Sequence, residues 1–148
     1  MRDRLSINIS VARSCFVRCN GCYNHFGQSD KLVNTSTIIE FLKYAQSKGI
    51  TKVTICGGDP LSRPDIISLL EEIKRLGFFI NLDTVGTSII GNVQTVFFGQ
   101  NDIPKIDSKK LASLIDLIGI PVDGSTNEIA TNFSVWQSTS TGRAVAYY

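Results

Sequence analysis

The sequence predicts an α/β fold built on a parallel sheet. Segments with the two-residue period of strands alternate along the chain with segments of helical period. Four polar segments, namely the cysteine-bearing loop after residue 11, Gly57-Gly58-Asp59, Asp83-Thr84 and Asp123-Gly124-Ser125, each fall just past the end of a predicted strand. Alternating strands and helices build parallel sheets through right-handed crossovers. In such sheets the loops at the strand C-termini converge on one rim, where ligands bind.

The elements follow in order. Leu5 to Val11 alternates, with Ile7, Ile9 and Val11 on one face, and reads as a strand. In the helix that follows, Thr37 and Glu40 form a capping-box pattern, Ile38, Phe41, Leu42 and Ala45 make the apolar face, and Gly49 stops it. Lys52 to Cys56 is a short strand carrying Val53 and Ile55. Pro64 and Asp65 suit a helix start, and Ile66, Leu69, Leu70 and Ile73 repeat at helical spacing as far as Gly77. Phe78 to Asp83 reads as a third strand. A helix opening at Ser108 carries Leu111, Leu114 and Ile115, and Leu117 to Val122 gives a fourth strand. The connection from Gly86 to Asp107, with Phe97 and Phe98, is too long for an ordinary link and is expected to hold a hairpin or a lid over the open side of the sheet.

A length of 148 residues suits one domain with a real core, and 43% hydrophobic with 19% charged residues suits a globular chain. A net charge of +2 gives no electrostatic basis for a nucleic-acid or membrane-surface partner. Met1-Arg2-Asp3-Arg4 is charged with no apolar signal region behind it, and no run approaches the ~20 apolar residues of a membrane helix. The expected location is cytoplasmic.

Three of the four cysteines, Cys15, Cys19 and Cys22, form a C-x3-C-x2-C run. Such clustering points to metal ligation in a reducing compartment rather than to a disulfide framework. Three thiolates do not fill a tetrahedral four-thiolate site, but they can hold three irons of a cubane 4Fe-4S cluster and leave one iron open. The alternatives are a zinc site completed by Cys56 or His25, which lacks the usual second ligand pair, and three unrelated thiols. Cys56, at the end of a strand, reads as a small buried hydrophobe.

The spacing resembles the cluster motif of the radical S-adenosylmethionine (SAM) enzymes. Thr54-Ile55-Cys56-Gly57-Gly58-Asp59-Pro60 resembles that family's GGEP motif, with Asp where Glu is usual, and Ile120-Pro121-Val122-Asp123-Gly124-Ser125 resembles its fourth-strand segment. The three stand in register and cover roughly residues 5 to 130. Cys19-Asn20-Gly21-Cys22-Tyr23-Asn24 is also similar to the C-P-G-C-Y-N of anaerobic ribonucleotide reductase activating proteins, whereas the later segments suit members that modify peptides and small metabolites.

The resemblance implies a partial (β/α) barrel of parallel strands, radical SAM type, with about four strand–helix units. Residues 1–133 would be the core and 134–148 a C-terminal tail. It implies a 4Fe-4S cluster and SAM as cofactors, with Cys15, Cys19 and Cys22 as metal ligands and SAM chelating the open iron. Tyr23 would shield the cluster. Gly57 and Gly58 would offer backbone groups to the SAM amino group, with Asp59 fixing their loop, and Asp123 and Ser125 would meet the ribose hydroxyls. The implied reaction is cleavage of SAM to a 5′-deoxyadenosyl radical that abstracts hydrogen from a peptide or metabolite, with an external electron donor. One alternative is an activase that installs a glycyl radical on a partner enzyme. Another is a non-catalytic iron–sulfur or zinc-binding module, consistent with the short barrel. An open sheet edge also leaves room for a second copy of the chain.

Overall fold

The computed structural model describes residues 5–13, 15, 18–19, 22, 32–86, 89, 106–121 and 134–135. In chain order these form β1 (Leu5–Ala12), β2 (Arg18–Cys19), α1 (Thr35–Ser47), β3 (Ile50–Gly57), a 3-10 turn (Pro60–Ser62), α2 (Ile66–Arg75), β4 (Phe79–Asp83), α3 (Ser108–Leu114), β5 (Leu117–Gly119) and β6 (Ser134–Val135). β1, β3, β4 and β5 make one sheet in that spatial order, all parallel, while β2 pairs antiparallel with β6. Sequential strands that neighbour one another and cross over through helices are the expected partial barrel.

The core lies between the sheet and the helices. Val53 and Ile55 of β3 and Ile80 and Leu82 of β4 turn inward onto Leu42 of α1 and Leu69, Leu70 and Ile73 of α2. Each such side chain contributes about 1.5–3 kcal/mol on burial. α2 buries the four residues its periodicity selects, Ile66, Leu69, Leu70 and Ile73. Asp107 caps α3, its carboxylate accepting from the Lys109 and Lys110 amides.

Three local expectations differ from the structure. α1 begins at Thr35 rather than at the Thr37–Glu40 box, with Asn34 as N-cap and no side-chain cap bond. Its start is set by tertiary contact, since the Thr35 hydroxyl donates to Asp65 and accepts from Arg63. The buried stripe of α1 is Ile38, Ile39, Leu42 and Ala45, and Phe41 is 50% exposed. A stripe centred on Leu42 places Ile39 inside it and Phe41 about 100° away. β5 stops at Gly119, short of Val122, and Ile115 leaves α3 to cap it while still packing on the core. Of the 86–107 connection only Gly86, Ile89, Ile106 and Asp107 are described, so the expected lid, with Phe97 and Phe98, lies outside the described residues. No helix among the described residues is long and apolar enough to cross a membrane.

Candidate active site

Parallel strands bring Ala12, Gly57, Asp83 and Gly119 to one rim, and the sequence places its polar loops just beyond them. Cys15 lies three residues past β1 and is exposed, Cys19 lies in β2, and Cys22 is half-buried. The pairing of β2 with β6 places Ser134, first residue of the expected tail, opposite Cys19 in the cysteine loop. Among the described residues no three Cys, His, Asp or Glu groups converge closely enough to hold a metal ion. The fit of this loop to a cluster therefore rests on the chemistry of its donor set, which is three cysteines in one short rim loop, two of them described as thiols.

Cys56 is a different kind of thiol. It stands on the face of β3 opposite Val53 and Ile55, half-buried rather than in the core, and its Sγ donates to the Ile9 carbonyl at 3.4 Å. Burial first, and the charge of Asp83 second, push its pKa above the ordinary 9.0. A thiol held protonated is a poor metal ligand.

The glycine loop after β3 is anchored to β1. Gly57 has φ 140°, and a Cβ there would lie 2.4 Å from the Ala12 carbonyl oxygen and 2.9 Å from the Ala12 nitrogen. The requirement for glycine at 57 thus comes from the neighbouring strand, a reason the sequence reading did not contain. The Gly58 N–H donates to the same Ala12 carbonyl at 2.8 Å. Gly57→Ala is expected to cost about 2–4 kcal/mol, since backbone on both sides must move, and urea unfolding of the metal-free chain measures it.

Asp59 fixes this loop. It is fully buried, and its carboxylate accepts from the Leu61 amide (2.9 Å), the Val85 amide (3.0 Å) and the Thr84 hydroxyl (2.9 Å to each oxygen). Thr84 in turn accepts from the Gly86 amide at 3.0 Å. One side chain therefore ties the rim of β3 to the rim of β4. Burial raises its pKa above the ordinary 3.8, against the pull of those three donors. A carboxyl raised on folding binds more protons in the folded chain. Its contribution to stability therefore falls as pH rises from about 3.8 to the raised value and is level beyond it. Asp59→Asn should remove that slope from urea-unfolding data. It should also cost stability at neutral pH, because Leu61 and Val85 donate to different oxygens and the amide NH2 must face one of them.

Arg63 was missed in the sequence. It is 3% exposed, and its guanidinium donates to the carbonyls of Val11 (3.0 Å) and Val33 (2.9 Å), to the Thr35 hydroxyl (2.9 Å) and to Asp65 (3.0 Å), with Nε 2.6 Å from the other Asp65 oxygen. Val11 and Val33 flank the segment that carries all three clustered cysteines, so this one side chain holds both of its ends. The guanidinium beside Asp65, with the Thr35 hydroxyl, holds the Asp65 carboxyl below its usual value although partial burial opposes this. The sequence signal was slight: an arginine two residues before an acidic helix start. Tyr23, Asp123 and Ser125 lie outside the described residues.

A parallel α/β half-barrel with three clustered cysteines on its C-terminal rim defines the class of protein. A family model of the Radical SAM superfamily matches residues 9–140, and the chain belongs to that family, whose members are enzymes that use a 4Fe-4S cluster and SAM. Among individual proteins, the chain is 34% identical over 79 residues to molybdenum cofactor biosynthesis protein 1 of Dictyostelium discoideum, covering 51% of this chain and 12% of that one. It is also 34% identical over 88 residues to a probable GTP 3′,8-cyclase of Methanothermobacter marburgensis, covering 58% and 29%. The crystal structure of Streptococcus suis SuiB bound to SAM superposes with a TM-score of 0.69 at 17% identity, over 88% of this chain and 28% of SuiB. The same TM-score and identity are found for SuiB bound to its precursor peptide SuiA. The chain spans less than a third of the length of each of these proteins.

Proposed function

We propose that the chain is the SAM-cleaving core of an enzyme that abstracts hydrogen from a peptide or small metabolite. The observation that carries this reading is the placement of the C-x3-C-x2-C loop and the Gly57–Asp59 loop on the same rim, past adjacent strands β1 and β3. The chemistry a 4Fe-4S cluster supplies when bound is one-electron cleavage of SAM to methionine and a 5′-deoxyadenosyl radical, the electron coming from an external donor. Cys15, Cys19 and Cys22 would hold the cluster. The Gly57-Gly58 backbone would receive the SAM amino group, on a loop that Asp59 holds to β4. Tyr23 would exclude water, and Asp123 and Ser125 would take the ribose hydroxyls.

A peptide substrate draws support from SuiB, crystallised with its precursor peptide, and a metabolite substrate from the relatives named GTP 3′,8-cyclases. Anaerobic reconstitution should give about four irons per chain, and dithionite should then release 5′-deoxyadenosine from SAM. Zinc without sulfide, or a full cluster that never binds SAM, would sink the reading. Gly58→Val is expected to keep the cluster's absorption but lose the spectral change that SAM induces, because a branched side chain enters where backbone meets ligand. Wild-type SAM affinity in that variant would remove Gly58 from the site.

The Cys19–Asn24 run favours a second reading, an activase for a glycyl-radical enzyme. That reading requires a stable complex with a large partner and a protein radical visible by electron paramagnetic resonance.

A further inference from the structure

The two flanks of α1 meet different surroundings. Gln46 donates to the Leu76 carbonyl at the end of α2, and Thr35 is held to Asp65 at its start, so α2 lies along the flank that carries them. Thr37, Phe41, Tyr44 and Lys48 stand on the other flank, about 100–160° around the helix from Leu42, and all four are exposed. The strand order β1-β3-β4-β5, with α2 packed on β4, places β1 on this second flank. Among the described residues β1 pairs only with β3, so its outer edge is open. From Leu5 to Ala12 it carries no charge and no proline, the residues with which proteins usually blunt an exposed edge strand.

This flank is apolar at its centre and matches itself. Tyr44 is 62% exposed beside the half-exposed Phe41, and Leu5, which pairs with Ile50 just past the end of α1, is 59% exposed. Residues 37, 41, 44 and 48 are spaced four, three and four apart, the spacing of a helix–helix seam. The pattern reads the same in both directions. A twofold axis crossing α1 between positions 42 and 43 sets Phe41 against Tyr44 of a second copy and Thr37 against its Lys48. Charge selects that antiparallel arrangement. Glu40 borders the seam one turn from Tyr44, and Lys48 ends it with Nζ 5.3 Å from the centroid of the Tyr44 ring. Neither is in an ion pair among the described residues. Antiparallel helices bring each Glu40 beside the other copy's Lys48, whereas parallel helices would set Lys48 against Lys48.

We propose that the outer flank of α1, with the open edge of β1 beside it, is an interface on which a second copy of this chain docks about a twofold axis. The areas are of the right order. A buried aromatic covers about 150–250 Å², so the exposed parts of Phe41, Tyr44 and Leu5 offer roughly 300 Å² per copy and roughly 600 Å² per pair. A stable interface buries about 1,200–2,000 Å² in total. Thr37, the Lys48 stem, the half-buried Ile7 and Ile9 and the free backbone of β1 supply the remainder. The rim that carries the cysteine and glycine loops lies at the ends of the strands, not along this edge. Antiparallel copies point their rims in opposite directions, so docking leaves both open. The inference does not depend on the SAM-cleaving reading, since no group on the seam belongs to the site.

The test is sedimentation velocity of the full chain, reconstituted anaerobically, over a series of concentrations. The wild type should pass from one copy to two as concentration rises. Tyr44→Glu and Phe41→Glu should each raise the dissociation constant by about 100-fold or more, because each puts two charges into the centre of a twofold seam. Both side chains are exposed in the single chain, so these variants should fold, and circular dichroism checks it. Leu117→Glu, on the exposed β5 edge, should dimerise as the wild type does. Charge exchange tests the antiparallel pairing without touching the apolar centre. Glu40→Lys should weaken the dimer by about three-fold or more, and Glu40→Lys with Lys48→Glu should restore it. A chain that stays single at every concentration overturns the proposal. So does a dimer that Tyr44→Glu leaves intact, one that Leu117→Glu splits instead, or one that the double exchange fails to restore.

Discussion

Replacing any one of Cys15, Cys19 or Cys22 by Ala is expected to take the iron content of the anaerobically reconstituted chain from about four per chain to near zero. Three thiolates are the smallest set that leaves one iron of a cubane open, so no ligand in the loop is redundant. Cys56→Ala is the control within the same chain. Its sulfur donates to the Ile9 carbonyl and is kept protonated by burial and by Asp83, so the variant should assemble the cluster at wild-type level. Iron and sulfide analysis of the four variants, with the visible absorption of each, makes the comparison. An equal loss in all four would show that Cys56 belongs to the ligand set. An unchanged iron content in any of the first three would remove that cysteine from it.

Arg63→Ala is expected to be among the most damaging substitutions outside the cysteines. It strips donors from two backbone carbonyls and a hydroxyl and leaves Asp65 without its ion pair. Asp65 is 41% exposed and water can take part of its charge, so the cost falls at the lower end of that for a broken buried pair, about 3 kcal/mol. For a chain of this size the unfolding midpoint of the metal-free protein should drop by roughly 10 °C. Arg63→Lys should recover only part of this, because one ammonium group does not span four acceptors as a planar guanidinium does. The same variants test the clamp on the cysteine loop. With Val11 and Val33 no longer held by one side chain, a chelator should strip iron from the reconstituted protein faster. Unfolding midpoints and stripping rates equal to those of the wild type would show that the clamp is not needed.

Much of the fold was legible because its rules are local. α2 shows its buried face in the spacing of Ile66, Leu69, Leu70 and Ile73, and these are the residues that pack. Local rules failed at α1. The Thr37–Glu40 box is a sound capping pattern, but Thr35 is held by Arg63 and Asp65, about 30 residues further along the chain, and those contacts set where the helix begins. Cys56 and Phe41 show the same limit. Period tells which residues share a face, but not which face the rest of the protein covers.

The sequence by itself determined the residues offered to the rim: a C-x3-C-x2-C loop, a glycine loop and an acidic residue, each set past a strand by alternating periods, in a chain of the Radical SAM superfamily. The tertiary structure alone decided why Gly57 must be glycine, what Asp59 holds and which residue clamps the cysteine loop. The division has a physical cause. Periodicity and motif spacing report interactions between residues a few positions apart. A buried hydrogen bond between side chains on adjacent strands depends on which strands pair and in what register, and that is settled only when the whole sheet closes on its core.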